Sequence, residues 1–327
     1  MNQKFMDFIR PFLGRRVAVA VSGGADSMAL MHALHAAGVD IVALHVNHGL
    51  RDAADADAVV VARGAERLGI ECHILAWTGD KPATGIEDAA RAARYALMVN
   101  FCRENNIDTI MVAHHADDQI ETFLMNLARG SGLYGLAAMR PVTMRDGIQI
   151  VRPFLDVRRA ELGRYCDDNK IEYVHDEMND DERYARVRMR RRRGALRDEL
   201  GISDERILLA IKNLGRTRDA MDEYINARLD GVIQNGRVLV NAFFLFDEPV
   251  DIRLKLLGCM LTRIGGNDYQ PRLTSLERAL DNLSRDCKFT LGGCVLRRLG
   301  DRILIAREGS RTSFKVRKEH ENTKQNR

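Results

Sequence analysis

The chain has 327 residues, 46% of them hydrophobic and 29% charged, with a formal net charge of +4. That length suits two domains of about 100–200 residues each, and the composition is that of a globular protein, which excludes disordered and fibrous classes. No stretch approaches the roughly 18 uninterrupted apolar residues of a membrane span, residues 1–10 lack a signal-peptide core, and six scattered cysteines without a Cys-x-x-Cys pair favour reduced thiols over a zinc site or disulfide framework. A cytoplasmic protein with no membrane partner is expected.

In chain order, apolar runs at 17–21, 41–46, 72–77 and 109–113 predict strands, and helical patterns fill 26–37, 53–68 and 86–105. Strands alternating with helices imply an α/β domain with a parallel sheet covered on both faces. Ligands of such sheets bind at the carboxyl ends of the strands. After the first strand comes Ser22-Gly23-Gly24-Ala25-Asp26-Ser27. Two glycines let the turn present backbone N–H groups as an anion nest, and the following helix adds its positive end. The string lacks the Gly-Lys-Ser/Thr ending of an ordinary P-loop and carries an acid. A carboxylate at a phosphate site is repulsive unless a divalent cation lies between them or Asp26 has another role.

The second informative string is His114-His115-Ala116-Asp117-Asp118-Gln119-Ile120-Glu121-Thr122. Asp117 is a natural N-cap for a helix on which Asp118 and Glu121 share a face. Two carboxylates there can grip an ammonium group, hold a metal with the histidines, or simply be solvated. Before this string, Arg91 and Arg94 lie one helical turn apart, either in a solvated face or beside a nucleotide. After it, Arg129–Leu136 contains three glycines in a six-residue span, which suggests a mobile or tightly approached loop.

Helix is expected from Asp156 to Lys170, then an extended run at 171–174. Seven arginines follow between Arg183 and Arg193, beside acids at 176–182. They fit either a solvated helix or contact with a nucleic-acid backbone. Helices at 206–229, 250–264 and 272–284 follow, and alternation around Gly292-Gly293 and Gly300-Asp301 predicts a β meander over 288–308. The domains are expected at 1–205 and 206–327, the second smaller and mainly helical, with a poorly ordered tail over 312–327.

Together these strings resemble the tRNA(Ile)-lysidine synthase family, within the N-type ATP pyrophosphatases. Residues 22–27 match the superfamily's Ser-Gly-Gly-x-Asp-Ser. His45-Val-Asn-His-Gly-Leu-Arg51, Ala90–Tyr95, His114–Thr122, Arg129–Met139, Arg152–Leu155 and Tyr173–Asn179 are similar to family segments. The chain departs from the family at Asp176-Glu-Met-Asn179, Arg186-Val187 and Gly194–Arg197. The resemblance implies a PP-loop ATPase fold of the adenine nucleotide α-hydrolase type. It also implies ATP and Mg²⁺ as cofactors, and L-lysine and a tRNA(Ile) with a CAU anticodon as partners. By the same resemblance, Ser22, Gly23, Gly24, Ala25, Asp26 and Ser27 bind ATP, with Asp26 on Mg²⁺. Asp26 and Arg94 act in catalysis, Asp118 and Glu121 hold lysine, and Arg186, Arg188 and Arg190 meet tRNA. A tRNA thiolase or another PP-loop synthetase is the alternative, and the oligomeric state is left open, a homodimer included.

Overall fold

The computed structural model describes residues 3–49, 54–78, 81–82, 84–174, 185–267, 269–285 and 287–309, with side chains for all of these except 54, 87 and 185–187. The chain divides into two compact units, 1–219 and 220–327.

The first unit opens with α1 (Gln3–Ile9) and then alternates: β1 (Arg16–Ala20), α2 (Ala25–Ala36), β2 (Asp40–Asn47), α3 (Ala54–Arg67), β3 (Glu71–Ala76), α4 (Ile86–Glu104), β4 (Thr109–Met111) and α5 (Ala116–Ala128). It continues through α6 (Leu133–Leu136), β5 (Val142–Arg145), β6 (Ile148–Val151), α7 (Arg159–Asp168), α8 (Ala185–Leu200) and into α9 (Asp204–Leu229). The sheet order is β3-β2-β1-β4-β6-β5, parallel except for the β5–β6 pair. Side chains alternate across a strand, so β1 feeds two cores. Val17 and Val19 join Met28, Leu30, Val61 and Leu162 on the face carrying α2, α3 and α7. Ala18 joins Val42, Leu44, Met98 and Cys102 under α4. A third cluster of Ile120, Leu124, Ile207 and Ile211, with Met189 and Leu196 against it, packs α5, α8 and the start of α9 together.

The chain builds β2 and β3 on one side of β1, then crosses to place β4 on the other. The β1–β4 border is therefore the switch point, where adjacent loops leave in opposite directions and open a crevice. Both informative strings start there. The expected α/β architecture is present, with two additions. The β5–β6 hairpin turns at Asp146-Gly147, both at positive φ (50° and 83°), an Asp-Gly hairpin signal. The run 171–174 joins no strand, yet Val174 N–H donates to the Gly23 carbonyl at 2.9 Å.

The second unit comprises the end of α9, β7 (Ile233–Gln234), β8 (Arg237–Asn241), α10 (Phe243–Phe246), α11 (Val250–Gly265), α12 (Leu273–Ser284), β9 (Lys288–Leu291), β10 (Cys294–Leu299) and β11 (Arg302–Arg307). The expected meander forms β9 to β11, and the β7–β8 hairpin, turning at Asn235-Gly236, extends it to an antiparallel sheet ordered β7-β8-β11-β10-β9. Leu256, Leu257, Met260 and Leu261 of α11 and Leu276 and Leu283 of α12 bury against Val238, Leu296, Ile303 and Ile305. This unit therefore has its own core. Residues 312–327 of the expected tail lie outside the described residues.

Candidate active site

The loop after β1 is locked by its own hydroxyls. Ser27 Oγ donates to the Gly24 carbonyl at 3.0 Å, accepts from Ser22 N–H at 3.1 Å and lies 3.1 Å from Ser22 Oγ. Gly23 sits at φ +95°, with Val174 Cγ2 3.4 Å from where a Cβ would stand. Any side chain there is strained by the backbone, with the valine in ordinary contact. α2 starts at Ala25 with Gly24 as N-cap, and no side chain caps it. The start of α2 thus offers uncapped N–H groups and a positive dipole end, which suit an anion.

Asp26 occupies the first turn of α2, and its two oxygens have different surroundings. Oδ2 lies 3.5 Å from His115 Nε2 and 4.0 Å from Arg159 Nε. Oδ1 is buried and has no hydrogen-bond partner in the structure. An orphaned carboxylate oxygen beside an anion nest fits Mg²⁺, which binds through one or two carboxylates and substrate phosphates. Asp26 Oδ1 is the group that would hold it, with nucleotide phosphates supplying the other ligands.

His115, not Asp117, is the N-cap of α5. Its Nδ1 accepts from Asp118 N–H at 3.3 Å, and Asp118 Oδ2 accepts from His115 N–H at 3.0 Å, a reciprocal cap. This fixes the proton on Nε2, facing Asp26. The ring is 3% exposed. Burial opposes a charged imidazole, but the carboxylates of Asp26, Asp118 and Asp117 outweigh it and raise the His115 pKa above its ordinary value. His115 thus joins the nucleotide loop to the acidic helix.

Asp117 faces the opposite way. Its Oδ2 accepts from Arg159 N–H at 2.8 Å and its Oδ1 from Arg193 Nη2 at 2.8 Å, with Arg158 Nη2 at 3.1 Å. Arg158 and Arg193 also pair with Asp204 at 2.5 and 2.8 Å. Burial alone would raise the Asp117 pKa, yet the Arg159 amide and the Arg193 and Arg158 guanidinia bring it below the ordinary carboxylate value. The two acids and two arginines tie α5, α7, α8 and α9 into one seam.

Glu121 is 1% exposed. Its Oε1 accepts from Arg190 Nε at 2.8 Å, and its Oε2 is buried without a partner. Burial disfavours the Arg190 charge, but Glu121, Asp118 and Asp26 more than restore it and raise its pKa. Arg190, expected at the tRNA backbone, therefore directs its inner nitrogen into the carboxylate pair. Arg188, Arg191 and Arg192 are exposed on α8. Arg186 is in the helix, but its side chain lies outside the described residues, as do Arg51, Arg183 and the acids at 176–182.

Arg94 stands on α4, its guanidinium carbon 5.5 Å from the Tyr95 ring. It is close enough to His48, beyond β2, to lower that imidazole's pKa after burial has done so. His45 is buried and Nδ1–H donates to the Val21 carbonyl at 2.9 Å, pinning the ends of β1 and β2 together. The glycine loop after α5 is held tightly. Gln119 exchanges two hydrogen bonds with the Met139 backbone, and Asn126 Nδ2 donates to the Gly135 carbonyl at 2.8 Å. A Cβ at Gly135 would stand 2.7 Å from Ser131 Cβ. Arg152 is buried and donates to the Arg140 carbonyl at 2.9 Å and to Thr143 Oγ1 at 3.1 Å. It serves the β5–β6 hairpin rather than the crevice.

A family model described as a PP-loop domain matches residues 1–194. The tRNA(Ile)-lysidine synthase of Ruegeria pomeroyi is 38% identical over 300 residues, covering 90% of this chain and 71% of that protein. The tRNA(Ile)-lysidine synthase of Methylobacterium nodulans is 38% identical over 309 residues, covering 90% and 91%. The chain belongs to the tRNA(Ile)-lysidine synthase family.

Family membership makes the loop after β1 part of an ATP-using domain. Among solved structures, a U34-tRNA thiolase from Methanococcus maripaludis has a TM-score of 0.55 at 17% identity, over 65% of this chain and 79% of that one. At that identity the likeness concerns the fold. The thiolase alternative is the less supported one, because the lysidine synthases match at twice the identity over most of the chain. No helix among the described residues is long and apolar enough to cross a membrane.

Proposed function

We propose that this protein ligates free L-lysine to carbon 2 of the wobble cytidine in a tRNA(Ile) with a CAU anticodon. ATP activates the cytidine by adenylation of its O2 atom, with pyrophosphate leaving. The ε-amine of lysine then attacks carbon 2, and AMP leaves. The observation that carries this reading is His115. Its ring lies 3.5 Å from Asp26 of the nucleotide loop and caps the helix bearing Asp118 and Glu121. Activation and amine capture thus share one crevice.

In this reading the N–H groups of residues 22–27 and the Ser22 and Ser27 hydroxyls receive the phosphates, where prearranged donors meet charge without reorganising. Mg²⁺, when bound at Asp26, supplies charge neutralisation on the pyrophosphate. Arg94, near the carboxyl end of β2, adds positive charge beside the nucleotide. Glu121 Oε2 and Asp118 receive the α-ammonium of lysine and leave the ε-amine to react. Arg190 holds Glu121 by its other oxygen, so the carboxylate is oriented before lysine arrives. Only the outer nitrogens of Arg190 are then left for a phosphate. Arg188 and Arg186 contact the tRNA backbone, a sequence-independent and salt-sensitive source of affinity. The wobble base must leave its stack to reach the crevice. The second unit is proposed as a further tRNA-binding domain, and the protein as cytoplasmic.

The deciding experiment is incorporation of radiolabelled lysine into tRNA(Ile) carrying CAU. Incorporation that needs both ATP and this tRNA is the expected result. No incorporation, with pyrophosphate release driven by a different acceptor, overturns the proposal.

A further inference from the structure

Beyond Glu121, α5 and α8 border an open cleft of about 230 Å³ lined by Met125, Ala128, Arg129, Arg188, Met189 and Arg192. Its floor is apolar, made of two methionines and an alanine. Three arginines and no acid border it, and its surface is mostly apolar. It therefore repels cations and suits a flat apolar group with negative charge beside it. The volume is below the roughly 300–1,000 Å³ of sites that enclose a drug-sized ligand, so it suits one planar ring system rather than a whole cofactor. Methionine is polarisable and adapts to a ring face, and guanidinia pair with phosphate through planar donors.

Its position is set by the seam. The pairs Asp117–Arg193 and Glu121–Arg190 run α8 antiparallel along α5. Met125 and Ala128 follow Glu121 on the same face of α5, at i+4 and i+7. With about 1.5 Å of rise per residue, the floor begins roughly 6 Å along the helix from the lysine carboxylate. Resting on the proposed tRNA substrate, we infer that this cleft takes the unstacked base of a nucleotide flanking the wobble cytidine, with Arg129, Arg188 and Arg192 on its phosphates. A chain bent so that one base enters the crevice exposes its neighbour, and stacking on an apolar floor repays that exposure.

The test uses full-length protein and the anticodon stem-loop RNA of tRNA(Ile) with CAU. Single abasic substitutions are placed at each loop position, and binding is followed by fluorescence anisotropy. Removing one base beside the wobble position should weaken binding about tenfold, the loss of one stacked base. Met125→Glu/Met189→Glu should weaken the intact stem-loop by a similar factor and become insensitive to that abasic site, while Met189→Leu binds normally. Loss of affinity at no flanking position, or only at the wobble position itself, overturns the inference. If the double variant does not fold, the abasic series on the unaltered protein still decides. Failure of the underlying tRNA reading looks different, because the intact stem-loop then binds no better than a scrambled hairpin.

Discussion

The two halves of the crevice are built on different principles. The nucleotide loop is made of neighbours. Its donors, hydroxyls and carboxylate all lie within residues 22–27, and its hydroxyl bonds close over three to five residues, with Val174 N–H reaching the Gly23 carbonyl from outside. The side bearing Asp117, Asp118 and Glu121, where lysine is proposed to bind, is made of strangers. Glu121 meets Arg190 across 69 positions and Asp117 meets Arg193 across 76. A local nest is set mainly by backbone conformation and depends less on what lies far off. A seam of buried charges exists only while each partner remains. Single substitutions should therefore have narrow effects in the loop and spreading effects in the seam.

The largest effect is expected at Asp26. Asp26→Ala should lower pyrophosphate release by about 10³-fold, as for loss of a group that stabilises developing charge, with the melting temperature nearly unchanged. A large drop in melting temperature instead would erase the contrast with the seam.

Next is Asp117. Asp117→Asn leaves Arg193 and Arg158 without their shared carboxylate, a cost of about 3 kcal/mol in unfolding free energy, measured by urea denaturation. The pH dependence carries a sign. The folded Asp117 pKa lies below its ordinary value of 3.8, so the unfolded chain binds this proton more readily. Its stabilisation is present above the unfolded value and is lost as pH falls through the depressed folded one. The stability profile of Asp117→Asn should be flatter across that acid window than the parent's, and parallel curves would remove Asp117 from the role of hub.

Glu121→Gln should reduce lysine-dependent product formation by about 10²-fold while ATP–pyrophosphate exchange with tRNA falls only a few-fold. Equal loss of both steps would count against placing lysine at Glu121 and would merge the two halves. The smallest effect is expected at exposed Arg188. Arg188→Gln should lower the slope of log affinity for tRNA against log salt by about 0.7, one single-strand phosphate contact. An unchanged slope would return Arg188 to the solvated face of α8.

Local signals were legible where chemistry and conformation coincide in a short span. Residues 22–27 carry their glycines, hydroxyls and helix start together, and the alternation of β1 to β4 with α2 to α4 follows from hydrophobic period. The two added hairpins were missed, although their turns at Asp146-Gly147 and Asn235-Gly236 carry a hairpin signal. Each sits between segments of only two to five residues, too short for alternation to stand out. The N-cap of α5 was misplaced by two residues because Asp117 is a better cap by type than His115. Tertiary demand from three arginine groups on α7 and α8 draws Asp117 away.

By itself the sequence determined a parallel α/β domain, a phosphate nest with an acid in it, and two carboxylates on one helical face. The first follows from the hydrophobic period along the chain, and the other two depend on residues a turn or so apart, where backbone geometry alone sets distance. Only the tertiary structure decided which of the described arginines in that run turn inward, Arg190 to Glu121 and Arg193 to Asp117. Arg188 and Arg190 are chemically identical and two residues apart, but the helical twist leaves one exposed beside the α5–α8 cleft and turns the other to Glu121. That choice depends on α8 docking over Ile120, Leu124 and Ile207, a packing interaction between segments remote in sequence.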